Sequence, residues 1–275
     1  MPLYSMPNWA RILLLIFTCA SFAPQLHLLV ARRGDASGIN LKYVLLNLAV
    51  ATELFTISFF FTVNRIEPSY VFAHDPPVAG DWLNLAQLTV VWILWLLIFI
   101  ICVAFYRREN HHLPIIIIAM YISFLMISIV PLLLEAISTE PSKEYRWFGA
   151  IFHGIHTLYF APIITAFALV AFVVQARETL ALPGSDIGAL SPMGLVLQTV
   201  VFAVLAATWW PGRLVLDVAS PPFMPWYQLV GFVPVDNGVF ALEQVALLVI
   251  AAWHRRHGRD GNAKFPEERQ PLIQS

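Results

Sequence analysis

Two glutamates lie in the middle of long apolar segments of the sequence. Glu53 comes twelve residues after Leu41, where one segment begins, and Glu243 comes eleven residues before His254, where another ends. At 1.5 Å per residue, both carboxyl groups would lie about 16–18 Å from the same face of a membrane. Inserting such a group costs about 2.5–3.5 kcal/mol, so it normally faces a partner or a wet cavity. We therefore expect Glu53 and Glu243 to line a central path and at least one of them to carry protons, the alternative being a structural hydrogen bond.

Other polar residues of the apolar segments are candidates for contact with a polar solute. Asn47 lies in the same segment as Glu53, and Gln198 lies at the corresponding position of a later segment. Asp236 and Asn237 follow Pro234 and are predicted to interrupt the last segment. A broken membrane helix beside polar groups points to a substrate site in transporters. A later start of that helix is the alternative interpretation.

Two further pairs of polar residues are expected to have ordinary interfacial roles. His153 and His156 share one face of a helix by their i, i+3 spacing, but no cysteine or HExxH motif accompanies them as metal ligands. Asn84 and Gln87 are expected to contact water or lipid headgroups near the outer surface. The sequence contains no Walker, Rossmann or GxSxG motif, so we expect no cofactor, no metal and no soluble-enzyme catalytic set.

The elements that position these residues are seven apolar segments. The chain is 59% hydrophobic and only 12% charged, whereas a soluble domain carries about 25% charged residues. The segments span about 10–31, 41–63, 82–106, 113–135, 153–176, 190–210 and 228–253. Each is long enough to cross a hydrocarbon layer of about 30 Å. Because backbone groups in lipid must pair within their own segment, we predict an all-α, polytopic membrane protein with seven transmembrane helices.

The distribution of basic residues predicts the orientation. Eleven lysines and arginines lie around the connections before helices 2, 4 and 6 and in the C-terminal tail. Five lie on the other side of the membrane. Cytosolic loops carry the excess of basic residues, so the N-terminus is expected to be lumenal and the C-terminus cytosolic. The net charge of −1 provides no basic surface for nucleic acid, so the expected partners are the bilayer, a small polar solute and protons.

The chain contains an internal repeat. Three residues recur at a constant offset of 150, since Phe22, Gln25 and Gly38 match Phe172, Gln175 and Gly188. The repeat predicts two parallel three-helix units joined by a linker helix, a 3+1+3 arrangement. The units are residues 1–112 and 141–254, the linker is 113–140, and a polar, disordered cytosolic tail follows at 255–275.

The residues around the first copy of the repeat resemble a known motif. The similarity is carried by Pro24-Gln25, Arg32-Arg33, Asp35, Ser37-Gly38 and Asn40-Leu41. This pattern resembles the PQ-loop motif, whose family includes the lysosomal cystine and cationic amino-acid exporters and is related to the SWEET sugar transporters. The resemblance is strong over residues 20–63 and moderate over 172–210, where Val174 replaces the proline.

The resemblance implies that Pro24 is a hinge in the first helix. Proline removes one backbone hydrogen bond and bends a helix, which agrees with that role. Gln25, beside the kink, is expected to bond the carbonyl that Pro24 leaves free. A static kink needed only for packing is the alternative. The missing second proline argues against symmetric gating.

The tail ends in a pattern similar to an acidic dileucine sorting signal. Glu268 is followed at the usual spacing by Leu272 and Ile273. Cytosolic adaptors bind such signals, so the motif agrees with a cytosolic C-terminus. It predicts delivery to a vacuole or lysosome.

Three functions are compatible with the sequence. The leading hypothesis is a proton-coupled transporter of PQ-loop type that exports an amino acid or similar metabolite from an acidic organelle. The second is an integral-membrane cyclase of the terpenoid type, in which Glu53 or Glu243 acts as a general acid. The third is a receptor or scaffold related to the KDEL retention receptors, which rests on fold analogy alone.

Overall fold

The computed structural model of the protein describes residues 6–32, 36–63, 72–106, 112–137, 143–183, 187–213 and 226–263. Within these ranges the chain is helical and contains no β-strand. Seven of the helices are long and apolar enough to cross a membrane. The predicted all-α fold with seven membrane-spanning helices is therefore confirmed.

Five of the seven helices are regular α-helices, namely α1 Asn8–Ala31, α2 Leu41–Val63, α3 Ala79–Ala104, α4 His112–Ile137 and α6 Pro192–Arg213. The fifth helix, α5, is continuous but not uniform. It begins as an α-helix, Lys143–Ile155, passes through a π-helical turn, His156–Phe160, and continues as an α-helix, Ala161–Ala181. The seventh, α7, begins with a π-helical turn, Tyr227–Gly231, and continues as Phe232–Ala263. The sequence predicts no irregular turn at either of these positions.

Helix α7 differs from its prediction at both ends. It is continuous through Asp236 and Asn237, so the predicted interruption there is wrong. The Asn237 side chain donates to the Val233 carbonyl one turn earlier at 2.8 Å, which keeps this polar residue inside the helix. At its C-terminal end the helix includes residues 255–263, which were predicted to belong to the tail. The rings of Trp253 and His257 pack against each other near this end, with their centroids 4.5 Å apart.

The helices pack in two corresponding sets of three. Helix α3 packs against both α1 and α2, and α7 packs against both α5 and α6. The two sets meet where α1 contacts α6 and where α2 contacts α5, and α4 packs on α2. Two parallel three-helix units would have such contacts, and their arrangement as 3+1+3 repeats stays a prediction.

Large apolar side chains on the outside of the bundle fit a lipid environment. On α4, Ile115, Ile116 and Met120 are all more than half exposed. Water would disfavour so much exposed hydrocarbon on one helix, whereas lipid tails accept it at no cost. Helix α2, in contrast, is buried along most of its length and forms the centre of the bundle.

Two short loops connect the helix sets by reciprocal hydrogen bonds. Gln25 of α1 reaches the loop 187–191, where its Nε2 donates to the Ala189 carbonyl and its Oε1 accepts from the Ser191 N–H, both at 2.9 Å. Gln175 of α5 reaches the loop 36–40 in the same way, donating to the Gly38 carbonyl at 2.7 Å and accepting from the Asn40 N–H at 3.0 Å. Each glutamine therefore holds the loop of the other helix set through two hydrogen bonds.

The predicted role of Gln25 is therefore wrong. We expected its amide to bond the carbonyl freed by Pro24 within α1. The loop of the other helix set offers both a donor and an acceptor, so both amide groups are satisfied there. Pro24 lies inside α1, which continues as one helix from Asn8–Ala31.

Replacing Gln25 with leucine is expected to destabilise the protein. The change leaves the Ala189 carbonyl and the Ser191 N–H buried without their partner, at a cost of about 1–3 kcal/mol for each group. The midpoint of thermal unfolding in detergent should fall clearly below that of the wild type. Asn237→Leu removes an amide that bonds only within its own helix and should cost less. An unchanged midpoint for Gln25→Leu would show that these loop bonds contribute no stability.

Candidate functional site

Glu53 lies in a buried polar cluster between α2, α5 and α7. Its Oε1 is 2.7 Å from Nδ1 of His156, and both side chains are almost fully buried. Its other oxygen, Oε2, has no hydrogen-bond partner in the part of the chain that the structure describes. An imidazole in direct contact with a carboxyl group can share or exchange a proton with it. The expected structural partner was a neighbouring hydroxyl or amide, and the observed partner is a histidine.

A second chain of hydrogen bonds reaches Asp236 from the opposite side of the cluster. The Tyr227 hydroxyl lies 2.5 Å from that of Thr165, and Thr165 donates to Oδ1 of Asp236. Asp236 is only 3% exposed and lies near enough to Glu53 for the two carboxyl groups to influence each other. The tyrosine, the threonine and the aspartate therefore form one connected chain of hydrogen bonds.

The two π-helical turns supply key members of this cluster. His156 is the first residue of the turn in α5, and Tyr227 is the first residue of the turn in α7. The two turns contact each other. A π-turn inserts an extra residue into a helix and re-aims side chains, and such turns are frequent at functional sites. Here the two irregular turns together place an imidazole and a phenol beside buried carboxyl groups.

Glu243 is the third buried carboxyl group. It follows Asp236 by seven residues, about two turns, so it lies on nearly the same face of α7. It is 4% exposed, and neither of its oxygens has a hydrogen-bond partner among the described residues. Glu53 and Glu243 do not bond each other, and Asp236 interacts electrostatically with both. We name Glu53, Asp236 and Glu243 the acidic cluster.

A small cavity lies on the side of the bundle where α1 ends and α2 begins. It measures about 20 Å³, room for about one water molecule. Its wall consists of Gln25, Ile39, Tyr43, Val44, Trp95, Ile98, Leu190, Leu195, Gln198 and Gln244. Gln244 donates to the Tyr43 hydroxyl at 3.3 Å, and its carbonyl oxygen has no hydrogen-bond partner within the described ranges. The wall thus presents amide and phenol groups from both helix sets.

A layer of aromatic rings separates this cavity from Asp236. Phe240 lies one turn from Gln244 and one turn from Asp236 along α7. Its ring centroid is 4.5 Å from that of Phe202 and 5.9 Å from that of Trp95. We name the aromatic layer by its members, which pack mainly edge to face: Phe22, Tyr43, Trp95, Phe202 and Phe240. This layer lies between the cavity and Asp236, whereas Glu243 is adjacent to Gln244 on the cavity side of Phe240.

The remaining candidate residues have different surroundings from those predicted. Asn47 is buried but donates to the Tyr43 carbonyl of its own helix at 3.0 Å, and Gln198 lies in the cavity wall. The roles of Asn47 and Gln198 as substrate-path residues stay predictions. Asn237 likewise bonds within its own helix. The sorting-signal residues Glu268, Leu272 and Ile273 lie outside the described residues.

Asn84 and Gln87 do not contact headgroups as expected. Both side chains are buried, at 2% and 1% exposure. Asn84 accepts from the Arg11 guanidinium at 2.9 Å, and Gln87 donates to the Thr18 hydroxyl at 2.7 Å. These bonds connect α3 to α1, so the amides hold these two helices together.

Two residues of the site, Thr165 and Tyr227, escaped sequence reasoning, and the partner of His156 escaped it too. The spacing of His153 and His156 drew attention to the histidine pair, but nothing pointed to Glu53, which is 103 residues away from His156. Thr165 and Tyr227 gave no signal, because hydroxyl residues are common in membrane helices. No group of three potential metal ligands occurs among the residues described. His156 contacts Glu53, whereas His153 packs against Phe60 and Phe61.

The fold and the site define an integral, multi-pass membrane protein of seven helices with a buried acidic cluster. Comparison of the chain with protein-family models, with curated proteins and with solved structures finds no match. The functional interpretation therefore rests on the residues of this chain.

Proposed function

We propose that the protein is a small-solute transporter of PQ-loop type that couples solute movement to protons. It exports an amino acid or a similar polar metabolite from an acidic organelle, with its N-terminus lumenal and its C-terminus cytosolic. The vacuole or lysosome is the proposed membrane, in agreement with the basic residues near the tail and with the dileucine pattern.

The observation that carries the proposal is the acidic cluster at the seam between the helix sets. Oε2 of Glu53 and both oxygens of Glu243 lack hydrogen-bond partners within the described ranges. An unpaired carboxyl group is expensive inside a membrane, so its presence is explained by a function in which its bonding changes. Binding a proton or a polar solute is such a change.

The positions of the residues suggest a division of roles. Glu53 with His156, and Asp236 with Thr165 and Tyr227, take up and pass on protons. Gln198 and Gln244 in the cavity wall offer amide groups to the polar end of a solute. The aromatic layer keeps the two regions apart until the helix sets move against each other, with Pro24 as the point where α1 can bend.

The proposal predicts uptake that depends on a pH gradient. Proteoliposomes that contain the purified chain should accumulate a cationic or zwitterionic amino acid when the lumen-equivalent side is acidic. A protonophore should reduce uptake to the level measured without a pH gradient, and a disaccharide should serve as the negative control. Absence of uptake for every solute of an amino-acid panel, under both directions of the gradient and with folded protein, would contradict the proposal.

One observation favours an integral-membrane cyclase as a second candidate. The ring centroids of Phe152 and Phe160 lie 4.1 Å and 4.9 Å from that of His156, which is bonded to Glu53. A carboxyl–imidazole pair beside aromatic rings could protonate an olefin or epoxide and stabilise the cation that results. Conversion of an added polyprenyl substrate by purified membranes would favour this function, and an unchanged substrate would favour the transporter.

A further inference from the structure

A groove on the outside of the bundle lies between the start of α6 and the end of α7. Its wall consists of Pro192, Leu248, Ala251, Ala252, Arg255 and Arg256, and its volume is about 270 Å³. The four uncharged residues present only hydrocarbon side chains. Both arginines are exposed. None of these residues belongs to the acidic cluster, the cavity wall or the aromatic layer.

The depth of the groove matches the boundary between headgroups and acyl chains. Arg255 follows Tyr227, the first residue of the π-turn of α7, by 28 residues, a distance of about 42 Å along a helix. The hydrocarbon core is only about 30 Å thick, and the whole bilayer with its headgroups about 40–45 Å. Arg255 and Arg256 therefore lie at headgroup level. Leu248, seven residues earlier, lies about 10 Å deeper, among the acyl chains.

Two features make the mouth of the groove positively charged. Arg255 and Arg256 carry guanidinium groups, and Pro192 is the first residue of α6, whose N-terminus carries a partial positive charge. None of the groove residues named above is acidic. Guanidinium groups bind phosphate in a bidentate manner, and basic residues near the membrane surface attract anionic lipids.

We propose that this groove binds an anionic phospholipid. The phosphate and the acidic headgroup contact Arg255 and Arg256, and one acyl chain lies along Leu248 and Ala252. The lipid would hold the ends of α6 and α7 together. The site does not depend on the transport function, since none of its residues takes part in the proposed path for protons or solute.

The test measures the binding of single lipids to the full chain in detergent micelles by native mass spectrometry. The wild type is titrated with dioleoyl phosphatidylserine, with dioleoyl phosphatidylcholine and with glycerophosphoserine, which lacks acyl chains. Phosphatidylserine should bind about tenfold more tightly than phosphatidylcholine, as the attraction of two basic residues for an anionic lipid suggests. Glycerophosphoserine should not bind measurably.

Two variants and a matched control locate the binding. The double variant Arg255→Gln/Arg256→Gln should lose the preference for phosphatidylserine. Ala252→Trp, which fills the groove and keeps both charges, should weaken the binding of that lipid. The control Lys42→Gln/Arg177→Gln removes two exposed basic residues outside the groove and should behave as the wild type.

Several results would overturn the proposal. Equal binding of both lipids, unchanged binding in Ala252→Trp, or an equal loss in the control variant would each exclude a specific site in the groove. Binding of glycerophosphoserine as tight as that of the lipid would identify a simple anion site. If the full chain binds no lipid but a chain without residues 264–275 does, the tail and not a lipid occupies the groove.

Discussion

Replacing Glu53 with glutamine is expected to abolish proton-driven solute accumulation while the protein stays folded. Glutamine has nearly the same shape and can still accept a hydrogen bond from His156, so the contact between α2 and α5 is retained. It cannot bind or release a proton at physiological pH. Uptake in proteoliposomes under a pH gradient should therefore fall to the level measured without a gradient.

Exchange of solute across the membrane without a gradient should persist in Glu53→Gln, since exchange needs no net proton movement. The unfolding midpoint should stay equal or rise, because a neutral amide costs less to bury than a carboxylate. Glu178→Gln is the matched control. Glu178 accepts a bond from Asn40 at 3.1 Å at the end of α5, away from the acidic cluster, and its replacement should leave the gradient response intact. Wild-type accumulation by Glu53→Gln would remove Glu53 from the proton path.

Replacing Gly188 with alanine is expected to produce the largest loss of stability. Gly188 has a φ of +61°, in the left-handed region that side chains disfavour. A Cβ atom there would overlap the Ser37 carbonyl oxygen and approach Cα of Gly38 to 2.8 Å. Both obstacles are backbone atoms, which cannot rotate away. Backbone strain and displacement of the two loops together should cost about 3 kcal/mol or more.

The measurement is the midpoint of thermal unfolding in detergent, with Gly154→Ala as the control. No atom lies within 4 Å of the Cβ that alanine would add at Gly154 in α5. Alanine also favours a helix over glycine by about 1 kcal/mol, so this control should match or exceed the wild-type midpoint. A midpoint for Gly188→Ala equal to that of the wild type would show that the two loops do not pack as closely as the structure shows.

The membrane-spanning helices could be predicted from the sequence because lipid leaves the backbone few choices. Runs such as Val90 to Ala104 are uninterrupted by charge, and in lipid their backbone groups must bond within the segment. The predicted segment 41–63 has the bounds of α2. The position of Glu53 and Glu243 deep in the bundle follows from the same reasoning, since both lie in the middle of a predicted span.

The partners of these residues could not be predicted, because they depend on how distant helices pack. Glu53 bonds His156 only because the π-turn of α5 aims that imidazole towards α2. Neither π-turn has a marker in the sequence. The sequence predicts a break in the last helix at Asp236 and Asn237 instead, because these polar residues follow a proline. In the structure the helix continues through this position, because the Asn237 side chain donates a hydrogen bond to the Val233 carbonyl of the same helix.

The partners of Gln25 were missed for the same reason, since they lie in a loop far away along the chain. The repeat placed Gln25 and Gln175 at equivalent positions, and the structure gives both the same type of bond to the opposite loop. Sequence reasoning considered only groups within the same helix as partners. Two glutamines at a constant offset, each followed by a glycine thirteen residues later, were the signal for a reciprocal arrangement.

Proton movement during solute entry is the most direct measurement of the central claim, that the acidic cluster changes protonation as solute crosses. Proteoliposomes loaded with a pH-sensitive dye, with equal pH on both sides, receive the transported amino acid on the lumen-equivalent side. The account predicts acidification of the interior with wild-type protein and none with Glu53→Gln, although solute still exchanges. Entry of solute through the wild-type protein with no change in interior pH would contradict it.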